Sequence, residues 1–331
     1  MSGTPSKLRL IGRELVRELL PMHRCIDLMR DAFIQVSEGR AVQPIRAAVR
    51  TPDGRGFMGW MPGYTDDPAL LGIKVVSIFP GAVEHGIPSH QGAVMLFEAE
   101  YGRPLAMLDA GEITAIRTAA ATAVATGALA RADATTLSIF GCGEQAGTHL
   151  KALMHARAFE KVLVWGRDAD KARRFCALEQ SAYDTPLVVV EEAQEAAQAD
   201  VVTLVTGSPD PIFKGAWLKP GQHINAVGSS MPAFAEVDAE AVAKSRYFVD
   251  YRASAEQLAG ELKRAREAGA VGEDHVLGEV GEVLLSKVQG RRSAEDVTLF
   301  KSLGMVAEDL ISGGWILAEA ERRGLGLVID W

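Results

Sequence analysis

The chain has 331 residues, 48% of them hydrophobic and 24% charged, the composition of a folded globular protein with room for two hydrophobic cores. Its formal net charge of −8 leaves no basic footprint for nucleic acid or for an anionic membrane surface. Three scattered cysteines, Cys25, Cys142 and Cys176, read as neither a disulfide framework nor a zinc site, and no apolar run follows Lys7 and Arg9, so a soluble, cytoplasmic protein is expected.

The first third mixes one helix with extended segments. Pro21 opens a helical pattern in which Met22, Ile26, Met29, Phe33 and Val36 recur at steps of three and four, and Gly39 stops it. Extended signals follow at Ile45–Arg50, Gly56–Met61, Gly72–Phe79, Gly92–Phe97 and Leu105–Leu108, separated by Gly and Pro, which predicts an antiparallel or mixed sheet. A long Ala-rich helix is predicted from near Glu112 to Arg131. Its small-residue stretch, Thr118 to Ala130, is too short and too weakly apolar to span a bilayer.

Beyond it the rhythm becomes strand–helix–strand. Strands are predicted at Thr136–Gly141, Lys161–Gly166, Pro186–Val190, Val201–Thr206, His223–Val227 and Arg246–Asp250. Helices are predicted at Gln145–His155, Ala169–Ser181 and Glu191–Ala199. Apolar strands alternating with amphipathic helices predict an α/β fold with a Rossmann-type doubly wound parallel sheet. The end, Phe300 to Arg323, reads as helical, with Leu303, Val306, Leu310, Ile311 and Leu317 as an apolar stripe. Lying outside the βα series, it is expected to return onto the N-terminal α+β domain.

The first βα turn of that series carries the chemistry. Gly141-Cys142-Gly143-Glu144-Gln145-Ala146 follows the apolar strand Leu137–Phe140 and opens a helix, the context in which a Gly-rich turn reads as a dinucleotide site. Gly141 permits the tight turn, Gly143 lets backbone approach the pyrophosphate, and Ala146 replaces the third glycine; phosphates then meet N–H groups at the positive helix end. The second strand ends in Gly166-Arg167 where NAD-binding chains place a carboxylate for the ribose 2′-OH. Arg167 offers a charge-assisted bond to a 2′-phosphate, so NADP(H) is favoured over NAD(H), and Asp168 reads as the N-cap of the next helix. Thr206-Gly207-Ser208 and Val227-Gly228-Ser229-Ser230 stand at strand ends on the same edge. Either they let the nicotinamide ribose approach closely or they are plain turns. No His, Cys or carboxylate set has metal-ligand spacing, so no metal is expected.

Several separated motifs then occur in order: Gln43-Pro44-Ile45-Arg46, Gly72-Ile73-Lys74-Val75-Val76, Pro88-Ser89-His90-Gln91, Thr114-Ala115-Ile116-Arg117-Thr118-Ala119-Ala120, Gly141–Ala146 and Phe300-Lys301-Ser302-Leu303-Gly304-Met305. From about Pro21 to past Gly304 the sequence resembles the ornithine cyclodeaminase/mu-crystallin family. The resemblance implies a homodimer. It also implies a substrate-binding and dimerisation domain of residues 1–118, to which 305–331 return, with an NAD(P)-binding Rossmann domain of residues 119–304 between them in the chain. It implies an α-amino or α-imino acid substrate whose carboxylate is held by Arg46, Lys74 and Arg117. The chemistry agrees, because planar Arg forks fix a carboxylate bidentately, and a Lys on an apolar strand is a partly desolvated proton donor. His90, Thr118 and Ser302 join the implied cofactor contacts, beside Thr206 and Val227.

One departure separates activities within the resemblance. Ornithine cyclodeaminases carry an aspartate just after the Asn-Ala-Val-Gly strand, and in Asn225-Ala226-Val227-Gly228-Ser229-Ser230 its place in the catalytic set is taken by Ser230. A hydroxyl without an activating partner is no general base near neutral pH. The pattern therefore looks more like the bacterial ketimine reductases. The expected reaction is NAD(P)H-dependent reduction of cyclic imino acids, Δ1-pyrroline-2-carboxylate to L-proline or Δ1-piperideine-2-carboxylate to L-pipecolate. Rival readings are an ornithine or lysine cyclodeaminase using NAD⁺ catalytically, an alanine-type dehydrogenase, and an NADPH-dependent ligand-binding protein with little turnover. Met58, Met61 and Phe79 are expected to line the pocket that selects ring size.

Overall fold

The computed structural model describes residues 6–331. The chain divides into two compact units, one made of the residues up to Arg117 together with Met305–Trp331, the other of Thr118–Gly304.

The first unit is built on a seven-stranded sheet. Its strands are β1 (Lys7–Ile11), β2 (Ala47–Arg50), β3 (Phe57–Asp66), β4 (Ala69–Ile78), β5 (His90–Glu98), β6 (Pro104–Asp109) and the last strand of the chain, Leu327–Asp330. From β2 to β6 consecutive strands pair antiparallel, as hairpin-length connections demand; β1 then joins β6 in parallel and pairs antiparallel with Leu327–Asp330. Two helices, Met22–Ser37 and Val306–Arg323, supply the apolar layer, and the stripe of Met22, Met29, Phe33 and Val36 is buried as its spacing predicts. The C-terminal helix lies directly on backbone. Gly63 and Gly72 are cross-strand partners, and a Cβ on either would fall 2.4 Å from Val306 or Leu310 side-chain atoms respectively.

Strand pairing sorts the side chains into two faces. Met61, Lys74, Val94 and Leu108 form one row across β3, β4, β5 and β6, and the last three are buried. Pro62, Ile73, Met95 and Met107 form the adjacent row on the opposite face, which also carries Met58 and Leu71, both 43% exposed. Met58 therefore faces away from Lys74 and does not share its pocket, contrary to expectation; Met61 does share the face.

The second unit is an eight-stranded, wholly parallel sheet. Its strands are β7 (Thr136–Phe140), β8 (Lys161–Trp165), β9 (Leu187–Val189), β10 (Val201–Leu204), β11 (His223–Ala226), β12 (Arg246–Val249), β13 (Val276–Glu279) and β14 (Thr298–Lys301). The order β13-β12-β14-β11-β10-β7-β8-β9 places β7 at the point where the winding reverses, the arrangement of a doubly wound dinucleotide fold. Its central strands are buried along their length except at half-buried Thr136, as helices on both faces require. A chain of buried polar groups crosses three of them. His223 meets Thr298 Oγ1 at 2.9 Å and Asn225 Oδ1 at 3.0 Å, while Asn225 Nδ2 donates to Thr203 and Thr126 at 3.2 and 3.0 Å. Among the described residues no helix is long and apolar enough to cross a membrane.

Two predicted elements change. The helix expected over Glu191–Ala199 contracts to Ala193–Ala196. The C-terminal helix does not begin at Phe300: Phe300 and Lys301 are the end of buried strand β14, Gly304 turns the chain with φ +80, and the helix starts at Val306. Strands Lys7–Ile11, Val276–Glu279, Thr298–Lys301 and Leu327–Asp330 escape the sequence reading, each being only four or five residues long.

Two buried histidines make the fold acid-sensitive. Burial holds His149 down to about 4 and His223 down to about 3, from 6.5. Both are neutral in the folded chain but take up protons once unfolded, so stability is complete above the unfolded value of 6.5 and is lost as pH falls toward the folded values. Urea unfolding at several pH values should lose about 1.4 kcal/mol per pH unit per histidine below that point. A flat stability between about pH 6.5 and 5 would refute this account.

Candidate active site

The sequence-predicted cations Lys74 and Arg117 converge in the first unit. Lys74 lies on the helix-covered face of β4, and Arg117 lies on the helix Ala110–Leu129 that follows β6 directly; they are only 4% and 5% exposed. Charges so deeply buried require partners. The C-terminal helix supplies them from its first turn. Asp309 Oδ1 accepts from Lys74 Nζ at 3.0 Å and from Arg117 Nε at 3.1 Å, and Glu308 Oε2 accepts from Arg117 Nη1 at 2.6 Å. Glu112, on the same helix as Arg117, instead accepts from Arg13 and Arg17, each at 2.9 Å.

Electrostatics give this cluster its chemistry. Burial, then the neighbouring Arg117 charge, lower Lys74 to about 8, with Asp309 opposing and Arg46 adding to the shift. Arg46, half-buried just before β2, is thus within electrostatic reach of the pair. Lys74, Arg117 and Arg46 thus bring three cations within electrostatic reach of one another, groups suited to a carboxylate. Lys74, near its titration point at neutral pH, can also hold or release a proton.

Glu308 and Asp309 escape the sequence reading. Their signal is an acidic pair set between Val306, Ala307, Leu310 and Ile311, all buried on the same helix. Carboxylates inside an apolar stripe need cationic partners elsewhere in the chain.

The second unit carries the glycine turn. Gly141 follows β7 with φ +125, and a Cβ there would fall 2.9 Å from the Val205 carbonyl oxygen, so no other residue fits. Gly143 is the N-cap of the helix Glu144–Ala156, with open space where its Cβ would stand, and Ala146 is fully buried against the sheet. Backbone N–H groups at the start of this 13-residue helix suit a pyrophosphate. Cys142 and Gln145 are half-buried in the turn, and Glu144 is exposed. Arg167 is exposed two residues beyond β8, and Asp168 caps the next helix by accepting from Lys171 N–H at 3.0 Å. A groove of about 500 Å³ beside the turn is lined by Cys142, Gly143, Glu144, Lys171 and Arg174.

The remaining sequence-predicted residues are dispersed. Thr206 and Val227 follow the adjacent strands β10 and β11, and half-buried Ser230 lies three residues past Val227. Ser302 is buried after β14 and donates its N–H to the Ala226 carbonyl at 3.1 Å. Thr118 is half-buried, one residue beyond Arg117 on the same helix. His90, the first residue of β5, is exposed, with Nδ1 2.9 Å from Ser89 Oγ. Among the described residues no group of three or more His, Cys, Asp or Glu could hold a metal ion.

Known proteins are similar to this chain over nearly its whole length. The model of the ornithine cyclodeaminase/mu-crystallin family matches residues 9–322. The ketimine reductase mu-crystallin of Rattus norvegicus is 38% identical over 85% of this chain and 86% of its own length. The structure of Thermococcus litoralis Δ1-pyrroline-2-carboxylate reductase in complex with NADH and L-proline is 33% identical, covers 96% of this chain and 99% of its own, and superposes with a TM-score of 0.93. An archaeal alanine dehydrogenase dimer with bound NAD is 29% identical, covers 98% and 99% respectively, and also reaches 0.93. The chain belongs to the ornithine cyclodeaminase/mu-crystallin family.

Proposed function

We propose that this protein is an NAD(P)H-dependent reductase of cyclic imino acids, converting Δ1-pyrroline-2-carboxylate to L-proline or Δ1-piperideine-2-carboxylate to L-pipecolate. The observation that carries the reading is the buried Lys74–Arg117 pair, with Arg46 within electrostatic reach and a lysine near its titration point. The relatives named as ketimine and pyrroline-carboxylate reductases support it.

The glycine turn holds the dinucleotide pyrophosphate, with Thr206, Val227 and Ser302 at the strand ends beside it. Bound NAD(P)H supplies the hydride that reduces the imine carbon. Arg117 and Arg46 bind the substrate carboxylate, and the protonated Lys74 favours electron density arriving at the C=N bond. Lys74 would give a proton to the imine nitrogen, forming the N–H bond that accompanies hydride addition at carbon. Asp309 and Glu308 keep Lys74 and Arg117 at fixed positions throughout. Ser230, where cyclodeaminases place an acid, leaves amine removal without its base.

Cofactor oxidation with the cyclic imines, run beside ammonia release from ornithine with NAD⁺, tests the assignment. Ammonia release without net change in the cofactor would overturn it. The rate at saturating substrate should fall as pH rises through about 8, because Lys74 then loses its proton. Lys74→Met should cost roughly a hundredfold or more in kcat; a variant retaining full activity would remove Lys74 from the mechanism.

Preference for NADPH is part of the proposal. Arg167 is exposed at the end of β8, and Lys171 and Arg174 line the groove beside the turn, three cations for a 2′-phosphate. Arg167→Asp should lower the NADPH-to-NADH ratio of kcat/KM by roughly tenfold or more, and an unchanged ratio would refute the phosphate role.

The reading includes a homodimer in a reducing, cytoplasmic setting, in keeping with three free cysteines. Supporting the dimer is the apolar sheet face bearing Met58, Leu71, Ile73, Met95 and Met107, which carries no helix of its own unit. Leu71→Asp should convert dimer to monomer in light scattering; a wild-type monomer would sink the proposal.

A further inference from the structure

The C-terminal edge of the parallel sheet contains three ionisable side chains that the mechanism above does not use: Glu236, Glu261 and Lys301. All are at most 1% exposed. Glu236 is at the centre. Its Oε1 accepts from the Thr206 backbone N–H and the Thr206 hydroxyl, both at 2.7 Å, and its Oε2 accepts from the Gly228 N–H at 2.6 Å. One carboxylate therefore joins the turn after β10 to the turn after β11. The turns also touch: a Cβ on Gly228 would fall 2.0 Å from the Thr206 carbonyl oxygen.

Glu236 is itself held from behind. Its N–H donates to Glu261 Oε1 at 3.2 Å, and the same oxygen accepts from Ser229 Oγ and from Lys301 Nζ, each at 3.0 Å. Lys301, the last residue of β14, also donates to the Ser229 carbonyl oxygen. Three successive strand ends, β10, β11 and β14, are thus tied together by two carboxylates and an ammonium. Burying ions in this way is a poor route to stability, since apolar replacements of similar volume usually do as well. What it does achieve is fixed backbone at the edge where open α/β sheets bind their ligands.

We propose that Glu236 is a positioning residue for the dinucleotide, its carboxylate fixing the turns at Thr206 and Gly228 in the conformation that receives the nicotinamide end. This rests on the dinucleotide reading above. An acceptor-only group is required, because it receives two N–H groups and a hydroxyl at once; a protonated or amide side chain would set a donor against a donor. The carboxyl is poised for that change. Burial raises it to about 6 against the lowering effect of Lys301 and of the Thr206 bonds, with Glu261 adding to the rise, and these two are the charged groups that face it. Below about 6 the folded chain carries a neutral Glu236 and a turn pair with one acceptor too few.

The test is the dissociation constant of NADH, which lacks a titrating 2′-phosphate, measured by fluorescence for wild type and Glu236→Gln across pH. Wild-type affinity should weaken roughly tenfold from about pH 7.5 to about pH 5. Glu236→Gln should bind roughly 10- to 100-fold more weakly at the higher pH and lose most of this pH dependence. Its KM for the imine at saturating cofactor should stay within about threefold of wild type, a split that general unfolding would not produce. If Glu236→Gln does not fold, the wild-type pH profile decides: a flat profile overturns the inference. Equal affinities and parallel profiles in both proteins also overturn it, leaving the dinucleotide reading intact. A wild type that binds no dinucleotide at any pH would overturn both.

Discussion

A single carboxylate oxygen, Asp309 Oδ1, receives both Lys74 and Arg117, residues 235 and 192 positions earlier in the chain. Cations at that depth need acidic partners, and Asp309 serves both while Glu308 adds a second for Arg117; the carboxylates would be equally costly alone. The contact therefore obliges the C-terminal helix to return across the whole intervening unit and lie on the N-terminal sheet. Gly63 and Gly72 let the helix come close enough, because a side chain at either would push Val306 or Leu310 away. The electrostatics of the cluster follow from the same constraint: two acids on one helix turn hold Lys74 and Arg117 together, and burial beside Arg117 lowers Lys74 to about 8.

The parallel unit uses buried carboxylates for a similar purpose on backbone. Glu236 gathers N–H groups from two turns, and Asp250 Oδ2 accepts from the N–H groups of Leu303 and Gly304 just after β14. Loops at a sheet edge ordinarily have few partners and move freely. Here an ionised acceptor, stronger than a neutral carbonyl, holds them at the positions a ligand would meet. In both units buried acidic residues hold cations or backbone groups in place.

Family membership narrows the chemistry but leaves several activities on one scaffold, since a pyrroline-carboxylate reductase and an alanine dehydrogenase superpose equally well on this chain. The difference must lie in single side chains rather than in the fold. Ser230 is one such position. Arg167, exposed two residues beyond β8, is the position to which the proposal assigns the choice of dinucleotide; the solved relatives hold NADH and NAD.

What the sequence by itself determined is what local geometry dictates. The glycine turn was legible because a left-handed Gly141, an N-cap Gly143 and a helix-packing Ala146 are needed within six residues of each other. The helical stripe of Met22, Met29, Phe33 and Val36 and the capping role of Asp168 were legible for the same reason. Tertiary structure decided the rest. Four-residue strands such as Val276–Glu279 and Thr298–Lys301 exist only through parallel neighbours far away in the chain, and no local pattern marks them. Lys74 and Arg117 could be named from motifs, but their partners could not, since Glu112 was nearer in sequence and Asp309 lay at the other end. Which face Met58 takes, and which turns Glu236 joins, depend on register and on crossings between strands. Those are properties of pairing across distance, where the cost of burying each charge or polar group is settled by whatever the fold brings beside it.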